Sequence, residues 1–290
     1  SNGLRHQRNA NQSNSEIPMA QQEMLFNTLS DGFKATMLSD ISLCLESLKT
    51  LNNFASQYEI VISQGLGTLI SNIIELLNSE YKDIVSNALI FVSNCFAQNK
   101  PDITDFLIRA NSIEIIHDLF LKWGTDLFIE ILYTLSNICS ISQQCRDLLL
   151  AHFSGNDFLL LLSSTLTHES LLNRCKSLLK KLVIYQLSTE NAVCIFSLLC
   201  QLKQYAGSWI FEDLGYCAKW LKGSISIPNE LLVDAFQSLL EPDNESIIGS
   251  LIFIGFAASE INETVIELLT SSSDEISSFA LWAVIQFIRS

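Results

Sequence analysis

The stretch Leu127–Ser140 reads LFIEILYTLSNICS. Its apolar residues Leu127, Ile131, Leu135 and Ile138 recur at three- and four-residue steps, the spacing of one face of an α-helix. Glu130, Tyr133 and Asn137 fall together on the neighbouring stripe. One stripe is suited to hold the helix in place, and the other to hold something else. The same ending occurs upstream as Val92-Ser93-Asn94-Cys95-Phe96-Ala97 and, more loosely, as Leu51-Asn52-Asn53-Phe54-Ala55-Ser56. Asn53, Asn94 and Asn137 stand 41 and 43 residues apart. A polar residue returning at a constant interval in a helical frame predicts repeated helical units.

The rest of the chain fits that frame. With four prolines and eleven glycines in 290 residues and little strict apolar/polar alternation, a strand-rich fold is excluded. A chain this long exceeds the size at which single cores stop growing, and an elongated array of repeats resolves that. The sequence predicts helices over 40–57, 66–78 and 81–97, then 101–110, 112–122 and 126–140, a short, longer, longer rhythm. Pro101 suits the first turn of its helix, where its missing N–H would go unpaired anyway. Helices over 143–153, 158–166 and 169–185 continue the rhythm. Six more follow over 191–204, 208–221, 229–240, 245–257, 260–269 and 274–288, at shorter, irregular spacing that suggests either two-helix units or a degenerate cap. The expected fold is all-α, a right-handed α-solenoid of about six armadillo- or HEAT-like units, whose period of ~40 to 47 residues matches. Residues 1–22, polar and rich in Asn, Gln and Ser, are expected to be disordered, and 23–290 to form the repeat domain, with its better-matched units ending near 185.

Composition narrows the function. The net charge of −14 argues against a phosphate-backbone ligand and favours basic partners. After Gly223 ten carboxylates face Arg289 alone. Charged and amide residues interrupt every apolar run short of a membrane span. None of the eight cysteines forms a CxxC pair, which fits a reducing compartment. His6, His117, His152 and His168 are scattered, so no metal site is expected. No nucleophile elbow, phosphate loop or HExxH is present, and the expectation is a non-enzymatic protein without a cofactor.

The repeated ending resembles the armadillo-repeat family and, within it, the importin α (karyopherin α) adaptors, whose third helices read A-L-W-A-L-S-N-I-A. Here they read Ala88-Leu-Ile-Phe-Val-Ser-Asn94-Cys-Phe, Ile131-Leu-Tyr-Thr-Leu-Ser-Asn137-Ile-Cys and Ala280-Leu-Trp-Ala-Val-Ile-Gln286-Phe. The likeness spans about 40–140 and thins after 185. In that family the asparagine hydrogen-bonds the backbone of an extended peptide, and a tryptophan four residues earlier packs on a Lys or Arg stem. The resemblance therefore implies peptide contacts at Asn53, Asn94 and Asn137, with Trp282 and Gln286 as a far outpost and Glu130 at a family acidic position. At the tryptophan positions stand Lys49, Ile90 and Tyr133, so only Tyr133 offers a ring to a cation.

The implied ligand is a basic, nuclear-localisation-type peptide, and the implied location is cytoplasm and nucleus. An importin-β-like partner would engage the N-terminal segment, where Arg5, His6 and Arg8 lie. Two plainer readings stay open. The amides bridge adjacent repeats, with the chain a general scaffold for another protein, and Trp282 closes the end of the solenoid.

Overall fold

The computed structural model describes residues 18–37, 40–58, 66–166, 169–184, 186–221, 224, 226–241, 243–258 and 261–289. Most of the segment expected to be disordered, including Arg5, His6 and Arg8, lies outside them. Every regular element among the described residues is helical: sixteen α-helices and three short 3-10 turns. The chain divides into two compact units at His152/Phe153.

Unit 1 contains α1 (Met19–Thr36), α2 (Ile41–Gln57), α3 (Leu66–Leu76), α4 (Lys82–Ala97), α5 (Pro101–Arg109), α6 (Ser112–Trp123), α7 (Phe128–Cys139) and α8 (Gln143–His152). The first helix starts at Met19, directly after Pro18, earlier than the sequence pattern suggests. The next seven lie within one helical turn of their expected places, because their stops and starts are chemically explicit. Asp40 caps α2, its Oδ1 accepting from the backbone N–H groups of Ser42 and Leu43 at 2.7 and 3.0 Å. Asn111, at φ 54°, makes the left-handed break between α5 and α6.

Helices α2, α4 and α7 pack in succession, forming the spine of the unit. The apolar stripe of α7 does what its spacing predicts: Leu127, Ile131, Leu135 and Ile138 are all at 0% exposure. Each such side chain contributes about 1.5–3 kcal/mol by leaving water.

Unit 2 contains α9 (Gly155–Leu166), α10 (Glu169–Val183), α11 (Thr189–Ala206), α12 (Phe211–Leu221), α13 (Asn229–Ser238), α14 (Asn244–Ala257), α15 (Glu263–Glu267) and α16 (Asp274–Arg289). Here α10, α12, α14 and α16 pack in succession, while α11 covers α9 and α12, α13 covers α14 and α15 covers α16. These are the two-helix units suggested by the shorter spacing. The spine is tight at α14, whose Ile247, Leu251, Ile252, Phe253 and Ile254 are buried on every side, as befits a helix enclosed by α12, α13 and α16. Gly215 of α12 permits this approach: a Cβ there would lie 2.9 Å from the Phe253 backbone nitrogen.

Candidate functional site

The side chains singled out on α2, α4 and α7 occupy distinct environments. Glu130 and Tyr133, one turn apart, are both half-buried on α7. Glu130 Oε1 accepts from the Ser86 hydroxyl of α4 at 2.8 Å, which orients the carboxylate while its second oxygen takes no part in that bond. Two lysines of α2 and α4 already have anionic partners: Lys49 pairs with Glu46 at 2.7 Å and Lys82 with Asp126 at 3.4 Å. The positive charge of Lys49, at a position where the resembled family has tryptophan, is thereby offset within its own helix.

The three asparagines do not share one role. The Asn137 amide nitrogen donates to the carbonyl and hydroxyl of Ser93 at 3.1 and 3.0 Å, tying α7 to α4. Asn94 is 7% exposed, and its Nδ2 is buried without a hydrogen-bond partner. Asn53 is exposed. Its neighbour Asn52 is the residue turned toward α4, donating to the Asn87 carbonyl at 2.9 Å, with its own Oδ1 buried and without a partner. The Asn137–Ser93 bond links the equivalent positions of the next repeat, so the orphaned Asn94 donor and Asn52 acceptor are the two halves of a rung left unjoined. The paired asparagines Asn52-Asn53 hid this from sequence reasoning, because the resemblance marks the second of the two.

In unit 2, Lys180 stands one period beyond Asn137 and makes an ion pair with Glu212 of α12 at 2.8 Å. That hydrogen bond to Glu212 holds the ammonium above its usual range. Lys176, one turn earlier, pairs with Glu245 at 3.2 Å and lies 5.0 Å from the centre of the Trp209 ring. Next to Glu212, Asp213 is only 4% exposed. Burial pushes its carboxyl well above the usual carboxylate range; the Glu212 charge adds to the rise, and Lys180 and Lys176 oppose it. Trp282 and Gln286 are half-buried on α16, with Trp282 set edge-on against Phe256 at 4.9 Å. Nothing in the sequence pattern flags Asp213, Trp209 or Phe256, since none repeats at the helical-unit period.

Among the described residues, no group of three or more His, Cys, Asp or Glu side chains is placed to hold a metal ion. No helix among them is long and apolar enough to cross a membrane.

No family model matches the sequence, and no curated protein matches it. Solved structures do. An engineered protein superposes with a TM-score of 0.65 at 15% identity, over 90% of this chain and 68% of that one. A designed armadillo repeat protein in complex with a peptide (KR)4 gives 0.51 at 14% identity, over 90% and 99%. Computationally designed armadillo repeat proteins for modular peptide recognition give 0.50 at 13% identity, with the same coverage. The fold is thus an all-α solenoid of armadillo-like helical repeats.

Proposed function

We propose that this chain is a non-enzymatic adaptor that holds a basic segment of another protein across α2, α4 and α7. The observation that carries the reading is the half-buried Glu130–Tyr133 pair, one turn apart on α7. A carboxylate and an aromatic face one turn apart form a receptor for a Lys or Arg side chain, the carboxylate taking the charge and the ring the aliphatic stem. Exposed Asn53 adds an amide that can bond a peptide backbone. The net charge of −14 draws a basic ligand in. A designed armadillo repeat protein in complex with the peptide (KR)4, similar in fold, supports this reading. Import of nuclear proteins, with residence in cytoplasm and nucleus and an importin-β-like partner, is the fullest form of this reading and rests on the sequence resemblance.

A second reading is favoured by the asparagines. Asn137 is engaged with Ser93 and Asn52 with Asn87, each a tie between helices, and Asn94 is closed off from solvent. On that reading the chain is a scaffold whose partner need not be an extended basic peptide.

Fluorescence anisotropy with a dye-labelled (KR)4 peptide separates the two. On the adaptor reading the peptide binds at micromolar concentration or tighter, and Glu130→Gln with Tyr133→Ala weakens it at least tenfold. Absence of binding, or binding indifferent to that double variant, defeats the adaptor reading and leaves the scaffold.

A further inference from the structure

A second surface, built of aromatic rings around one lysine, lies on α12, α14 and α16 in unit 2. Four side chains form a continuous row there. Trp220 fixes one end, its indole N–H donating to the Val183 carbonyl at 2.9 Å. Lys219 is exposed, and its ammonium lies 4.5 Å from the centre of the Trp220 ring and 5.7 Å from that of Phe256. Phe256 meets Trp282 edge-on, with centroids 4.9 Å apart and ring planes at 77°. Gly255 makes room for that contact, since a Cβ there would come within 2.8 Å of Trp282 Cζ3. All three rings stay half-exposed after this packing. Half-open tryptophan and phenylalanine rings held rigidly in a row are the anchors on which protein interfaces are built.

Charge decides what the row accepts. Both ring faces nearest the middle already hold a cation, so a Lys or Arg arriving there meets Lys219 and is repelled. Lys176, Lys180 and Lys203 of the same unit each have a carboxylate within ion-pair reach. Among the described residues, none lies within that reach of Lys219. Among the described residues its charge meets only ring faces, and a carboxylate brought by a partner would complete it.

We propose that this row docks an acidic segment of a partner protein. One Glu or Asp of the segment pairs with Lys219, and a flanking leucine or aromatic side chain covers the open edges of Phe256 and Trp282. The acidic balance of the chain opposes such a ligand only at long range, and charges beyond a Debye length of about 8 Å are screened at physiological salt. A carboxylate on Lys219 sits at ~3 Å, well inside that length. The surface is independent of the one on α7, and it gives Trp282 a ligand opposite in charge to the basic peptide that the family resemblance implies for it.

The test is anisotropy of dye-labelled (EL)5 and (KL)5 peptides against the full chain, its Lys219→Glu variant and its Glu130→Gln variant, with circular dichroism confirming that each is folded. Lys219 is exposed, so reversing its charge leaves the core intact. The expected result is that (EL)5 binds the full chain and its Glu130→Gln variant alike and is weakened at least tenfold by Lys219→Glu, whereas (KL)5 responds to Glu130→Gln and gains nothing from Lys219. Failure of (EL)5 to bind, or (EL)5 binding that survives Lys219→Glu, overturns the proposal. Failure of (KR)4 to bind at Glu130 and Tyr133 leaves this result untouched, so the two surfaces fall or stand separately.

Discussion

The Asn137 amide nitrogen donates to both the carbonyl and the hydroxyl oxygen of Ser93, one repeat earlier, at 3.1 and 3.0 Å. Asn94, at the equivalent place on α4, has a buried amide nitrogen with no such acceptor. The two asparagines, alike in sequence, therefore contribute differently to stability. Asn137→Ala should lower unfolding free energy by about 1 kcal/mol, the net worth of a lost hydrogen bond. Asn94→Leu, close in volume, removes a donor that goes unpaired and should be neutral or stabilising. Urea titrations of both variants check this, and a larger loss in Asn94→Leu than in Asn137→Ala would show that the Asn94 amide is satisfied in solution.

Two glycines should respond to alanine in opposite directions. Gly32, exposed near the C-terminal end of α1, has no atom within 4 Å of a would-be Cβ, so Gly32→Ala gains about 0.5–1 kcal/mol from backbone entropy. Gly215 lies against α14, where the added carbon would be 2.8 Å from Ile252 Cγ2 and 2.9 Å from the Phe253 nitrogen. The backbone there has no flexible end to give way, and Gly215→Ala should cost about 1–3 kcal/mol. A tolerated Gly215→Ala would mean that α12 and α14 separate more easily than their packing indicates.

The thiols sort by access. Cys194 is exposed, and Cys44, Cys95, Cys139, Cys145, Cys175 and Cys217 are buried. Burial drives the Cys95 thiol far up, and it holds Cys200, which is half-buried, at about 11 despite the opposing charge of Lys203. Since the thiolate is the nucleophile, iodoacetamide at pH 8 should modify Cys194 first, with the rest following only as the protein opens. Peptide mass mapping over time reads this directly; alkylation of Cys95 at the Cys194 rate would contradict the packing of α4.

The helices were legible in the sequence because each carries its own punctuation. Asp40, Pro101, Asn111 and Gly124 mark ends by capping, ring closure or left-handed backbone, and these are local properties. The shorter spacing of unit 2 was legible for the same reason, but it left two-helix units and a degenerate cap both open. Partnerships between helices were not. Periodicity places Asn94 and Asn137 on equivalent positions, but packing between neighbouring helices decides whether each amide reaches an acceptor: Asn137 reaches the carbonyl and hydroxyl of Ser93, and the Asn94 nitrogen reaches none. The ring row in unit 2 was hidden for a further reason. Lys219, Phe256 and Trp282 sit on three helices and share no interval, so only packing brings them together.

Asp213 should make the stability of unit 2 depend on pH. Its folded-state proton affinity lies well above the ordinary aspartate value of 3.8, chiefly because burial penalises the charge. The groups facing it are Glu212 on its own helix, which raises the affinity further, and Lys180 and Lys176 on α10, which lower it. A raised folded-state value means that the protonated carboxyl's contribution is complete below about pH 3.8 and is lost as pH rises through the folded value. Asp213→Asn keeps the shape and cannot ionise. It should match the parent's melting temperature in acid, exceed it at pH 7, and flatten the decline between. Thermal melts of parent and variant from pH 4 to 8 measure this. If Asp213→Asn instead melts lower at pH 7, the carboxylate is ionised there and held by Lys180 and Lys176, and the electrostatic balance between α10 and α12 is the reverse of the one described.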